Sequence, residues 1–289
     1  MRIGKAALLG GTLAGVLCLA AACASARRDP VAASPPPVDW PARLAEADAL
    51  YAAGHYTALR DAERTYGEAL AGAPDKAGIA EKLVRAAIAL ELRKKDLGVL
   101  AAGSPIDLPA LAEADPSLSR YAPWLELIEG LPNKIKGSPG TEGTGGRTLD
   151  AHLEWVSARV PAIEADLERS AGTDDQAAAL RLALRTDFFY KFPDRLDPKP
   201  VRDLHPGSRL VAFQAAVSPA FDLEPLEALL AADPAFSEVH YYLGEAALMA
   251  GKLLTAERQY LAVHDKIPES LSVLVSLAKV SFEIEETEI

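Results

Sequence analysis

The spacing of apolar residues from Ala42 onward is the sequence feature that most constrains the fold. Apolar side chains recur at intervals of three and four residues, as at Leu83, Ala86, Ala87 and Leu90, with polar residues between them. This spacing collects apolar side chains on one face of a helix, and no stretch alternates as an amphipathic strand does. Glycine or proline stands at nearly every junction between the periodic segments, which is typical of helix ends. We therefore predict an all-α fold of antiparallel helices.

The composition also favours helices over strands. The chain is 49% hydrophobic and 25% charged, as in a globular protein. Much of the apolar content is Ala and Leu rather than β-branched or aromatic residues. The predicted helices lie near residues 42–53, 56–72, 76–95, 107–114, 117–130, 148–169, 174–191, 207–217, 222–232, 235–250, 252–266 and 269–284.

The charge balance restricts the classes of partner. The chain has 41 acidic residues against 30 Lys and Arg, and its formal net charge is −11. Such a protein has no general attraction for the phosphates of nucleic acid or for an anionic membrane surface. We expect a protein or peptide partner and no nucleic acid.

Residues 1–22 have the pattern of an export signal. Arg2 and Lys5 precede an acid-free apolar run from Ala6 to Ala22 that ends in small residues. The run has 17 residues and includes three glycines, so it is short for a membrane span. A retained membrane anchor is the weaker interpretation.

A lipidation motif follows the apolar run. Ala20-Ala21-Ala22-Cys23 resembles the lipobox of bacterial lipoproteins, in which the cysteine is acylated and becomes the first residue of the mature chain. The usual Leu is displaced by one place to Leu19, so ordinary signal-peptidase cleavage after Ala24 or Ala26 stays open. The other cysteine is Cys18, so removal of residues 1–22 leaves Cys23 alone, and a lipid would cap its thiol. The resemblance implies a lipid anchor at Cys23.

Residues 23–41 are predicted to form a disordered tether. Prolines are frequent there and favour an extended, solvated chain. Ala24 stands where many inner-membrane lipoproteins have Asp, so the resemblance implies the periplasmic face of the outer membrane. The prolines are at positions 30, 35, 36, 37 and 41.

The carboxyl end shows an internal period. Asp233-Pro234 and Ile267-Pro268 are 34 residues apart, the length of a tetratricopeptide repeat. With Ser237 as the first position, this segment resembles that repeat, and the resemblance implies a right-handed superhelix of antiparallel helix pairs, an α-solenoid. The residues that carry the resemblance are Leu243, Gly244, Gly251, Ala256, Tyr260 and Pro268.

The remaining chain is less regular. Ala47, Leu50, Tyr51, Gly54 and Tyr56 resemble part of a second unit, whereas residues 75–206 carry no clear repeat. Prolines between 192 and 206 predict a break there. The predicted parts are a lipoprotein signal peptide (1–22), a tether (23–41), an N-terminal repeat-like part (42–130), a glycine-rich loop (131–147), a middle helical part (148–206) and C-terminal repeats (207–289).

The family resemblance also implies a binding surface. In these repeats the concave side is lined by fixed positions of the first helix, and Met and aromatic side chains there suit an apolar peptide or helix. Tyr241 and Leu248 have a second interpretation, which is packing against neighbouring helices. The partner-binding residues carried over by position are Glu238, Tyr241, Glu245, Leu248, Met249 and Lys279.

No sequence motif points to catalysis, a cofactor or a metal. Gly145-Gly146-Arg147-Thr148 lacks the lysine of a phosphate-binding loop, and no strand is predicted before it. The five histidines are too far apart in sequence to place two ligands on one helix face. The serine and zinc hydrolase motifs are also missing. We expect a non-enzymatic scaffold that binds a protein or peptide in the cell envelope.

A second function stays open. The chain also resembles the T component of TRAP-type transporters, a helical lipoprotein with divergent repeats, which would make it a small-molecule-binding accessory protein. The long middle part without repeats favours this alternative, because an enclosed pocket needs more than an open superhelix. An apolar channel within residues 75–206 would support it, and a solid core there would count against it.

Overall fold

The computed structural model describes residues 38–100, 106–130, 174–186, 197–217 and 222–287, together with residues 154, 158, 163–165, 167 and 168. These residues form an all-α fold, as predicted, and contain no β-strand beyond an isolated bridge between Val99 and Ser270. The predictions for the export signal, for Cys23, for most of the tether and for the loop 131–147 lie outside the described residues.

The described helices lie close to the periodic segments of the sequence. A 3₁₀-helix, Pro116–Tyr121, comes between the fourth and fifth α-helices. The α-helices are α1 (Trp40–Ala53), α2 (Tyr56–Gly72), α3 (Ile79–Leu97), α4 (Leu108–Ala114), α5 (Ala122–Gly130), α6 (Asp175–Thr186), α7 (Pro198–Leu204), α8 (Arg209–Ala216), α9 (Leu223–Ala232), α10 (Val239–Met249), α11 (Leu253–His264) and α12 (Leu271–Thr287).

Two proline-containing segments differ from the prediction. Helix α1 begins inside the predicted tether, because Asp39 Oδ1 accepts a hydrogen bond from the Ala42 amide at 3.1 Å and a proline fits the first helical turn. The predicted break over 192–206 is wrong for α7. There Asp197 accepts from the Lys199 amide at 3.0 Å, and Pro198 again occupies the first turn.

One apolar core lies between helices from the middle of the chain. It contains side chains of α3, α5, α6 and α8, including Val84, Trp124 and Leu182, none of which is more than 1% exposed. These helices therefore share one apolar interior.

A second apolar core brings the two ends of the described chain together. It combines side chains of α1, α2 and α3 with those of α8 to α12. Helices far apart in sequence thus share one interior. Its fully or almost fully buried members include Ala47, Leu90, Phe213, Tyr260 and Val280.

Helices α10 and α11 form a tight hairpin. A Cβ atom on Gly244 would lie 2.6 Å from Tyr260 Cε1, so the two backbones approach only because residue 244 has no side chain. Gly251 has a φ of 69° in the turn, a conformation that favours glycine. Helix α12 then packs against α11.

The start of α12 meets the end of α3. Ser270 Oγ donates a hydrogen bond to the Leu97 carbonyl at 2.6 Å, next to the bridge between Val99 and Ser270. The Tyr56 hydroxyl donates to Glu269 Oε1 at 2.9 Å. These hydrogen bonds connect the amino-terminal helices to the carboxyl-terminal ones.

Candidate functional site

A layer of polar side chains lies inside the fold where α3, α10 and α12 meet. None of its members is more than 5% exposed. Buried polar groups are costly unless they are hydrogen-bonded, so their contacts define what the layer does. The buried polar layer consists of Arg93, Glu238, Tyr241, Glu245, Ser272 and Ser276.

An ion pair lies at one end of the layer. Arg93 Nη1 is 2.8 Å from Glu238 Oε1, and the two side chains are 6% and 0% exposed. The same carboxylate oxygen accepts from the Tyr56 amide at 2.7 Å, at the start of α2. Glu238 therefore links α10 to both α2 and α3.

Burial dominates the electrostatics of this pair. It raises the pKa of the Glu238 carboxyl above its ordinary range, although the Arg93 guanidinium acts in the opposite direction. The carboxylate Oε2 atom has no hydrogen-bond partner within the described part of the chain. On its other side, the Arg93 guanidinium lies 3.8 Å from the Phe213 ring centroid, a cation–π distance.

The other end of the layer is a hydroxyl and carboxylate network. The Tyr260 hydroxyl donates to Glu245 Oε1 at 2.9 Å, and Ser276 Oγ donates to the same atom at 3.2 Å. Ser272 hydrogen-bonds with Tyr241, whose pKa is raised by burial. These bonds hold α10 against α11 and α12.

The structure corrects the predicted groove at three positions. Glu238, Tyr241 and Glu245 do not line an open surface, because α3, α11 and α12 cover them. Leu248 is half-buried and packs against the second core. Among the residues predicted from the repeat, Met249 is 74% exposed, and the Lys279 side chain is 61% exposed.

Sequence reasoning missed Arg93, although its position carried a signal. Ala86, Leu90 and Leu97 are fully buried on one face of α3, and Arg93 falls at the same helical spacing. A charged residue on a buried face requires a partner of opposite charge. The sequence did not reveal that this partner is Glu238, 145 residues away.

A small cavity lies beside Arg93. Its volume is about 30 Å³, enough for one or two water molecules. It is lined by residues of α1, α2, α3, α6 and α8, among them Tyr51, Asp96, Gln176 and Gln214. A cavity of this size does not hold an organic ligand.

The contacts of the buried polar layer connect helices to one another. Both carboxylates accept hydrogen bonds from other helices, and both side chains are buried. Within the described segments no group of three or more His, Cys, Asp or Glu side chains is arranged to hold a metal ion. The described residues also include no helix that is both long and apolar enough to cross a membrane.

Comparison with known proteins adds no assignment. The chain matches no known protein family, no curated protein and no solved structure.

Proposed function

We propose that this chain is a non-enzymatic periplasmic lipoprotein whose tetratricopeptide-like helix pairs form a solenoid and serve as a protein- or peptide-binding scaffold in the cell envelope. Cys23 carries the lipid in this proposal, and the lipid holds the protein on the periplasmic face of the outer membrane. No metal or cofactor takes part.

The observation that carries the proposal is the hairpin of α10 and α11 with α12 beside it. Gly244 packs against Tyr260, Ala256 is fully buried, and Gly251 has the turn conformation that ends a helix. These are the positions at which the sequence resembles the repeat. The helix that follows the hairpin also packs on it, as stacking of repeats requires.

The binding surface in this proposal differs from the one that the repeat positions imply. Since Glu238, Tyr241 and Glu245 are buried, a partner has access to Met249, to Lys279 and to the outer side of α12. The scaffold therefore works with its carboxyl-terminal edge rather than with a deep groove.

We favour the scaffold over the small-molecule alternative. The described helices of the middle part share an apolar core, and the cavity beside Arg93 has room for water only. No observation in the described residues favours an enclosed ligand channel.

Crosslinking in intact cell envelopes tests the scaffold proposal. A photo-reactive amino acid at Met249 should give a specific crosslinked protein, whereas the same amino acid at Leu204, an exposed residue of α7, serves as the control. A chain that gives no protein adduct from either position and shows measurable turnover of a small molecule would overturn the proposal.

The mass of the mature protein tests the anchor. The protein extracted from membranes should begin at Cys23 and carry acyl chains, and a Cys23→Ser variant should lack them. An unacylated wild-type product that begins beyond Cys23 would refute lipid anchoring while leaving the scaffold proposal to the crosslinking test.

A further inference from the structure

Helix α12 exposes an apolar stripe to solvent. Its members are spaced by three, four and seven residues, which places them along one side of the helix. Leu274, Val275 and Phe282 are 39%, 38% and 60% exposed. The α12 stripe consists of Leu271, Leu274, Val275, Ala278 and Phe282.

The opposite side of the same helix already packs in the fold. Val273 and Val280 are fully buried in the second core, and Ser276 belongs to the buried polar layer. The stripe is therefore a second apolar side that the described helices leave uncovered. Contiguous exposed apolar side chains of this kind mark interaction surfaces.

Acidic residues stand at both ends of the stripe. Glu269 is exposed just before the helix starts, and Glu285 is exposed in its last turn. The last turn contains no basic residue, and the Glu285 side chain lies near the negative end of the helix dipole. Lys279 Nζ lies 3.9 Å from Glu283 Oε1, so the Glu283 carboxylate offsets the positive charge of Lys279.

These charges favour a positively charged partner over a second copy of this chain. A second copy of α12 packed antiparallel about Ala278 would bring Glu285 of one copy beside Glu269 of the other. A parallel pair would place the two Glu285 side chains together. Like charges at a contact are destabilising, so the surface fits a partner that carries positive charge.

We propose that the α12 stripe is the docking surface for a basic amphipathic helix of another protein. Apolar side chains at i, i+3, i+4 and i+7 of that helix pack on the stripe, and its Lys or Arg residues meet Glu269 and Glu285 at the two ends. This inference rests on the proposed scaffold function and names the chemistry of its partner.

A synthetic peptide provides the probe. It has the length of α12, Leu at the stripe spacing and Lys at the other positions, and its counterpart has Glu in place of Lys. Fluorescence anisotropy with the full purified chain measures the affinity. The Lys peptide should bind, the Glu peptide should not, and added salt should weaken binding.

Matched variants locate the site. The double variant Val275→Ser/Phe282→Ser should bind the Lys peptide about tenfold more weakly. The double variant Leu254→Ser/Leu261→Ser changes two exposed apolar residues of α11 and should bind like the wild type. Glu285→Lys should also weaken binding, and circular dichroism should show that all variants keep their helix content.

Three results would overturn the inference. These are equal binding of the Lys and Glu peptides, equal binding by the wild type and the Val275→Ser/Phe282→Ser variant, and a dimer of the wild type that this variant abolishes. Peptide binding at α12 would stand even if envelope crosslinking found no partner. An envelope partner that does not depend on α12 would support the scaffold and refute this surface.

Discussion

The buried polar layer and the α12 stripe reverse the usual distribution of polar and apolar side chains. Ser272 and Ser276 are buried on one side of α12, while Leu274 and Phe282 are exposed on another. The buried hydroxyls are accommodated because Tyr241 and Glu245 hydrogen-bond to them. The exposed apolar groups have no such compensation within the described fold, which is why we interpret them as a docking surface.

This difference shows what each region contributes. The layer connects helices that are far apart in sequence, and its hydrogen bonds and ion pair make it sensitive to the loss of one partner. Phe282 of the stripe, which is 60% exposed, contributes little to folding, because more than half of its side chain remains in water. Substitutions should therefore separate stability from binding.

The largest effect on stability is expected at the buried ion pair of Arg93 and Glu238. Arg93→Leu leaves the Glu238 carboxylate buried without its counter-charge and should lower the free energy of unfolding by about 3–5 kcal/mol. Urea unfolding measures this loss of free energy. The control is Lys82→Met, at an exposed pair whose Lys82 Nζ is 2.7 Å from Asp48 Oδ2, where we expect about 1 kcal/mol or less. Equal losses in both variants would contradict a special role for Arg93.

A pair of glycine substitutions tests the α10–α11 contact. Gly244→Ala places a methyl group against the Tyr260 ring and should destabilise the protein by about 1–3 kcal/mol. Gly67→Ala lies within α2 with nothing within 4 Å of the added carbon, so it should stabilise by up to about 1 kcal/mol. Thermal unfolding measures both variants. The same sign for both would refute the close approach of the two helices.

The pH dependence of stability tests the electrostatics of Glu238. Its folded-state pKa is raised above the ordinary value of 4.5, so the folded protein binds the proton more strongly than the unfolded chain does. The stability contributed by the protonated carboxyl is present at acidic pH and is lost as the pH rises through the folded pKa.

Comparison with Glu238→Gln isolates this group. The free energy of unfolding of the wild type minus that of the variant should fall as the pH rises from about 4 to about 8, because the raised pKa makes the folded state hold the proton more strongly. Urea unfolding at a series of pH values measures the difference. A difference that rises over this range would mean that the Arg93 charge lowers the pKa of Glu238 more than burial raises it.

The smallest effect on stability is expected at the α12 stripe. Phe282→Ser should change the free energy of unfolding by no more than about 0.5 kcal/mol, because the side chain is 60% exposed. Thermal unfolding measures this change. A loss comparable to that of Arg93→Leu would show that Phe282 belongs to the fold and would remove the basis for a docking surface.

Periodicity was sufficient to predict most helices, because the pattern that buries one face of a helix is local. It located α10, α11 and the turn at Gly251 to within a few residues. It failed at α7, where proline was interpreted as a breaker although it stands in the first turn behind a capping aspartate.

The candidate site was only partly predictable. Met249 and Lys279 lie on the surface, whereas Glu238, Tyr241 and Glu245 are buried. Their burial depends partly on α3, which is remote in sequence, and no local pattern around residue 238 indicates which helix will cover it. The position of Arg93 on an apolar face was the one available signal, and it indicates a partner without identifying it.

The sequence by itself determined where the chain forms most of its helices and where a glycine permits α10 and α11 to approach. Only the tertiary structure decided that the carboxylates of the predicted groove face inward and that one side of α12 faces water. The physical reason is that helix formation depends on neighbours in the chain, whereas burial depends on which distant helices pack together.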